Sequence, residues 1–213
     1  MSLLRKPFSY TFSNVTLGLI VVNVVSFFVF TATPLAQYQR YFSLNAITFF
    51  HMHMFWQPLS YMFMHGGIAH LFFNMLALFF FGMNTEKAIG SKEFVLLYFL
   101  SGILCGIISV TVYYFTQFYG IFLIGASGAV YAVLLAYAVI FPRSRIFIWG
   151  ILPVPAPILV IAYAVIELGS ELFGMRGGVA HLTHLAGFFV AWLYFRIRMG
   201  ISPVKIWKDA YGR

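Results

Sequence analysis

Charge is what this chain has least of. Asp, Glu, Lys and Arg make up 8% of its 213 residues, against roughly 25% in an ordinary soluble domain. A soluble globule needs a charged surface that this composition cannot supply. Soluble enzymes, disordered tails and nucleic-acid modules are therefore excluded, although the formal net charge is +8. Aspartate occurs once, as Asp209, and cysteine once, as Cys105. One cysteine forms no intrachain disulfide. Repeats, low-complexity tracts and polar linkers are also missing, so residues 1–213 read as a single domain.

Hydrophobic residues account for 62% and aromatic residues for 20%. A transmembrane barrel would show alternating segments of about ten residues, whereas these runs are solidly apolar. The class is an all-α membrane protein. No charged residue occurs between Lys6 and Arg40, Arg40 and Glu86, Glu93 and Arg143, Arg145 and Glu167, or Arg176 and Arg196. A span takes about 20 apolar residues. The gaps accommodate six helices, predicted at about 14–32, 67–84, 93–116, 127–141, 152–172 and 178–198. Eleven of the 13 Lys and Arg residues then fall on one side, with Arg40 and Arg176 on the other. Positive charge marks the cytoplasmic face, so both termini are expected there, with the basic residues contacting anionic lipid. The Arg5-Lys6 start and Pro34-Leu35-Ala36-Gln37 loosely mimic a signal peptide. Removing that run would leave five spans and spoil the charge pattern, so the first helix is expected to be retained. The segment 34–66 is too long for a turn and too apolar for an exposed loop. Phe42, Phe49, Phe50, Met52, Met54, Phe55 and Trp56 place it in the outer interface.

Polar side chains inside a span are functional hypotheses by default. Helix four starts at Gly125-Ala126-Ser127-Gly128 and runs to about Phe141. Its 15 residues from Ser127 span about 22 Å, short of a hydrocarbon core of about 30 Å, so Ser127 lies below the outer surface. His184, about six residues into helix six, and Asn74, a similar distance into helix two, reach matching depth. A buried serine needs a base, and His184 is the natural one. Asp209 lies in the cytoplasmic tail, so a third member cannot be an aspartate. Glu167 and Glu171 lie on helix five and read as structural or interfacial; a Ser–His pair without an acid is the simpler expectation. Tyr131 shares a helix face with Ser127 and can orient the ring. Gly128, Ala132 and Ala136 on helix four, and Gly187 and Ala191 on helix six, form small-residue stripes that let backbones approach. His70 and Asn74 form one polar face. They, with the Ser127 N–H, can donate to a developing oxyanion.

Each feature has a plainer reading. Gly-x-Ser-Gly also starts ordinary helices, and the histidines and Asn74 can be interhelical bonds. His51-Met52-His53 and the His181/His184 pair could ligate a metal, but neither brings a convincing third ligand, so no metal site is expected.

Together these residues resemble the rhomboid family of intramembrane serine proteases, in its minimal six-helix bacterial form. The resemblance runs from about Trp56 to Ala191. It rests on Trp56-Gln57-Pro58-Leu59-Ser60-Tyr61 through His65-Gly66-Gly67, the His70-x-x-x-Asn74 motif, Glu86, Gly90 and Tyr98. It rests further on Gly125-Ala126-Ser127-Gly128 with Tyr131-Ala132, and on Ala180-His181-Leu182-Thr183-His184-Leu185-Ala186-Gly187. It implies Ser127 as nucleophile, His184 as general base, Tyr131 as the ring on which His184 stacks, and His70, Asn74 and the Ser127 N–H as the oxyanion hole. Gly125, Gly128 and Gly187 support the motif. It further implies an enzyme of the bacterial inner (plasma) membrane that cleaves transmembrane segments of other proteins, with the lipid bilayer and those substrates as partners and without metal or cofactor. Two positions depart: Gln57 stands where many members have Arg, and Ala191 where a second Gly is usual. Neither touches the dyad. The alternatives are a non-catalytic binding protein or chaperone on the same scaffold, which would lack Ser127 or His184, and a transporter, which would show repeated halves. Substrate entry is expected between helices two and five, with Leu172 and Phe173 as gate bulk and Gly174, Gly177 and Gly178 as hinge.

Overall fold

The computed structural model of the protein describes residues 7–148, 150–173 and 181–212. Among the described residues, six helices of 14 residues or more carry the fold: α1 (Val15–Ala32), α5 (Ile68–Ile89), α6 (Ser91–Phe115), α7 (Ser127–Ile140), α8 (Ala156–Leu172) and α9 (His181–Ile197). Between α1 and α5 lie the short helices α2 (Gln39–Phe42), α3 (Ala46–Phe50) and α4 (Gln57–Ser60). A hairpin of β1 (Arg145–Ile148) and β2 (Leu152–Pro155) precedes α8, and α10 (Pro203–Tyr211) follows α9. Among the described residues, α1, α5 and α6 are long and apolar enough to cross a membrane. The predicted start of helix six at 178 and Ala180 of its motif lie outside the described residues. So do Arg5, Lys6, Arg176, Arg213 and the glycines Gly174, Gly177 and Gly178.

Three boundaries differ from the sequence reading, each for a local reason. Helix α5 runs through Glu86 to Ile89 instead of stopping near 84. Glu86 is fully buried because it serves as the cap of another helix. Its carboxylate accepts from the backbone N–H groups of Val15 and Thr16, both at 2.8 Å, from the Thr16 hydroxyl at 2.6 Å and from the Ser91 hydroxyl at 2.5 Å. Asn14, which precedes α1, makes no side-chain cap. The charge therefore satisfies the orphan donors at the α1 start and opposes its dipole. A single π turn at Leu78–Gly82 interrupts α5; a β-carbon on Gly82 would come within 3.0 Å of Thr16 and Leu78, so α1 lies close there.

The second difference is at the start of α8. Residues 152–155 are strand, paired Phe147↔Pro153 and Arg145↔Pro155 with β1. A two-stranded sheet has only edge strands, where proline is tolerated; the helix starts once Pro157 can take an early-turn position. The third is α10, read from sequence only as part of the cytoplasmic tail. Pro203 begins it, and it docks through Trp207 Nε1 donating to the Ala138 carbonyl at 2.9 Å and Tyr211 donating to the Pro142 carbonyl at 2.7 Å.

The 34–66 segment is more than an interfacial belt. Met52, Phe55 and Trp56 are exposed, but Leu44, Tyr61, Met62 and His65 are almost fully buried. They fold back on α6, where Gly102 and Gly106 leave no room for a β-carbon beside Met62 and Tyr61. The Tyr61 hydroxyl donates to the Gly102 carbonyl at 2.6 Å. Gln57 is fully buried. It accepts from Thr48 Oγ1 at 2.8 Å and donates to the Tyr41 carbonyl at 3.2 Å, so an uncharged side chain ties this segment to itself. On the opposite side, Glu93 accepts from Phe8 N–H at 3.2 Å, from Tyr194, and from Arg198 Nε at 2.8 Å, joining the starts of the chain and of α6 to the end of α9.

Candidate active site

Ser127 is the first residue of α7. The turn before it is set by Gly125, whose φ of +111° suits glycine. Gly125 N–H donates to the Tyr61 carbonyl at 2.9 Å, so the folded outer segment fixes where α7 begins. A β-carbon on Gly125 would lie 2.7 Å from the His70 ring; glycine here lets α5 bring His70 to the start of α7.

Helix α9 supplies the partner of Ser127. His184 Nε2 and Ser127 Oγ are 2.8 Å apart. The approach depends on the small-residue stripes. A β-carbon on Gly187 would run into the Gly128 carbonyl oxygen, and Ala132, Ala136 and Ala191 are fully buried. The His184 ring stacks on Tyr131, with centroids 4.2 Å apart and planes 10° from parallel. His184 is buried and Ser127 half-buried.

Two further donors share this space. His70 and Asn74 line the same cavity of about 1200 Å³ as Ser127, Tyr131 and His184. Asn74 Nδ2 donates to the His70 carbonyl on its own helix at 2.9 Å; an amide has a second N–H. The His70 ring meets the edge of His65, centroids 5.1 Å apart.

One residue at the site departs from the sequence expectation of a Ser–His pair without an acid. Glu167 of α8 is buried and reaches three partners. Its Oε1 lies 2.9 Å from His184 Nδ1 and accepts from the Tyr131 hydroxyl at 2.5 Å. Its Oε2 lies 2.5 Å from His181 Nδ1. The signal was available: a carboxylate in the middle of an apolar helix needs partners. Glu171 lines the cavity one turn further on. His51 and His53, weighed as metal ligands, are exposed. Among the described residues no group of three His, Cys, Asp or Glu side chains is arranged to hold a metal ion.

The family model described as Rhomboid domain matches residues 52–200. The chain belongs to the rhomboid family. Its similarity extends to RHOMBOID-like protein 4 of Arabidopsis thaliana, 33% identical over 144 residues, which are 65% of this chain and 32% of that protein. It is 30% identical over 133 residues to the putative rhomboid protease YdcA of Bacillus subtilis, covering 58% of this chain and 63% of that one. Rhomboid protease GlpG of Klebsiella pneumoniae is 35% identical over 79 residues, 37% of this chain and 26% of its own length. The chain thus spans from about a quarter to under two thirds of these relatives. The matched rhomboid region contains Ser127, His184, His70, Asn74, Tyr131 and Glu167.

Proposed function

We propose that this rhomboid is an intramembrane serine endopeptidase that cuts transmembrane segments of other membrane proteins near the outer face. The observation that carries the reading is the 2.8 Å contact between Ser127 Oγ and His184 Nε2 on a large cavity among apolar helices. In the proposed arrangement all six long helices span the bilayer and both termini are cytoplasmic, in the inner membrane of a bacterium. Helix α7, with 14 residues, reaches about 21 Å, so its N-terminus sits below the outer surface and carries Ser127 to that depth.

The chemistry follows from the placement of the groups. His184 Nε2 takes the Ser127 proton as Oγ attacks the scissile carbonyl carbon. The carbonyl π pair moves to oxygen, and the oxyanion is held by the Ser127 N–H at the start of α7, with His70 and Asn74 as side-chain donors. The intermediate collapses as His184 returns the proton to the leaving amine; water then repeats the sequence on the acyl-enzyme. These steps draw on no metal or cofactor. A substrate helix hides its carbonyls in its own hydrogen bonds, so substrates are expected to carry Gly or Pro near the outer face and a small residue before the cut.

The test is purified protein in lipid vesicles with a panel of single-span substrates. Ser127→Ala and His184→Ala should each lower cleavage by about 10³-fold or more with the helical bundle intact by circular dichroism. A fluorophosphonate should label Ser127, and much more slowly in His184→Ala. Chelators should leave the rate unchanged. Cleavage that persists in Ser127→Ala, or that chelators abolish and zinc restores, would overturn the reading.

A further inference from the structure

We propose that Glu167 is a positioning residue for His184, so that the reacting pair is the end of a Glu167–His184–Ser127 chain instead of an isolated dyad. The inference rests on the reading of Ser127 and His184 as the reacting groups. Glu167 lies on α8, while the groups it touches come from α7 and α9, so three helices meet at one carboxylate.

The contacts fix the tautomer. An ionised carboxylate only accepts. With Glu167 Oε1 at 2.9 Å, the Nδ1 of His184 must carry the proton and donate it. The Nε2 lone pair then faces Ser127 Oγ at 2.8 Å, which is the form a general base requires. The stacked Tyr131 ring supports the imidazole from its face, but stacking does not distinguish the two nitrogens. The carboxylate does.

The bonding partners of the carboxylate point the same way. Burying a carboxylate among apolar helices is costly unless it is fully bonded. Three groups converge on the two oxygens of Glu167: the Tyr131 hydroxyl and His184 Nδ1 on Oε1, and His181 Nδ1 on Oε2. Because Tyr131 and His184 share Oε1, the same oxygen holds the hydroxyl of one stacked ring and the nitrogen of the other. A bond serving only to join α8 to its neighbours would not need that shared geometry.

Charge points the same way. When Ser127 attacks, its O–H bond breaks and a new N–H bond forms at Nε2. The electron pair of the O–H bond becomes the Oγ–C bond, and the imidazole becomes a cation. Glu167 keeps its charge beside Nδ1 and takes no proton. It therefore stabilises the state that exists only after proton transfer, which raises kcat and leaves substrate binding alone.

The experiment uses the full chain in vesicles, with a cleavable single-span substrate and ¹⁵N-histidine labelling. In the wild type, nitrogen spectra should show His184 protonated on Nδ1 and bare on Nε2, with the resonances assigned through His184→Gln. Glu167→Gln, which keeps the shape and removes the charge, should lower kcat by about 10²–10⁴-fold with KM within about threefold, and should redistribute the His184 proton between the two nitrogens. A wild-type His184 protonated on Nε2 overturns the proposal, and this holds even if the variant does not fold. A Glu167→Gln enzyme with kcat within threefold of wild type also overturns it. Ser127→Ala run in parallel separates the two levels. If Ser127→Ala still cleaves, the serine–histidine reading itself fails. If Ser127→Ala is dead and Glu167→Gln is fully active, only the role of Glu167 fails.

Discussion

Gly187 of α9 lies directly against the Gly128 carbonyl of α7, one turn below the His184–Ser127 contact. A β-carbon at Gly187 would overlap that oxygen, and the Tyr131 β-carbon is only 3.4 Å away. The obstacle is backbone, which cannot rotate aside. Gly187→Ala should therefore push the two helices apart, at a cost of about 1–3 kcal/mol for overpacking. Cleavage should fall together with thermal stability, and the Ser127 label should form more slowly. Unchanged melting and unchanged labelling would mean that this crossing does not set the distance between Ser127 and His184.

Asn74→Ala and His70→Ala address the proposed oxyanion donors. A donor that acts on a developing charge lowers kcat when removed and leaves binding alone, typically by about 10²–10³-fold. Asn74 should show the larger loss. His70 should show less, because the Ser127 N–H remains. Steady-state kinetics on a peptide substrate decides: a rise in KM at constant kcat would contradict the role.

His65 gives a pH signature. It lies just ahead of α5 with 1% of its surface exposed. Burial, followed by the neighbouring His70, lowers its pKa from 6.5 to about 4. The unfolded chain then takes up the proton first on acidification. The stability His65 contributes is full above pH about 6.5 and is lost as the pH falls through about 4. Melting in detergent across that window should drop more steeply for wild type than for His65→Gln. Parallel curves would show that His65 is not the sensor.

Much of this architecture was legible because apolar runs and their gaps are a strong signal. The start of α7 at Ser127 follows from Gly125, and the contact of α7 with α9 follows from Gly128 and Gly187. What escaped was charge that is buried. Glu86 reads as a boundary in the sequence, yet it sits inside α5 because four donors from α1 and α6 reach it. Glu167 reads as structural or interfacial, since nothing in a linear reading brings residue 167 to residues 131, 181 and 184. Pro153 and Pro155 fall inside the span predicted at 152–172, and nothing in the local sequence says that β1 and β2 pair. Gln57 was noted as a departure from the family's usual Arg, but its buried bonds to Thr48 and Tyr41 depend on a loop path that sequence does not encode locally.

For the proposed activity a substrate helix must reach Ser127 from the side. The cavity is lined by Phe73, Ala77 and Phe80 from α5 and by Tyr163 and Glu171 from α8, so its side faces the seam between those helices. Read from sequence, Leu172 and Phe173 are the gate bulk. Neither is among the described residues that line the cavity, so Leu172→Ala with Phe173→Ala should change cleavage by less than about twofold. The side chains that line the passage are the effective obstacles. Phe73→Ala with Phe80→Ala should speed cleavage of a full transmembrane substrate and leave a short soluble peptide unaffected. Conversely, cysteines at Phe73 and Glu171 joined by a short bifunctional thiol reagent should slow the membrane substrate by about tenfold or more and spare labelling of Ser127 by a small fluorophosphonate. The native Cys105 is fully buried and should not compete for the reagent. A crosslinked enzyme that cuts its membrane substrate at the full rate would exclude entry between α5 and α8. Equal slowing of the small probe would instead mean that the crosslink distorts the Ser127–His184 pair, and the contrast between the membrane substrate and the small probe is what assigns the effect to passage.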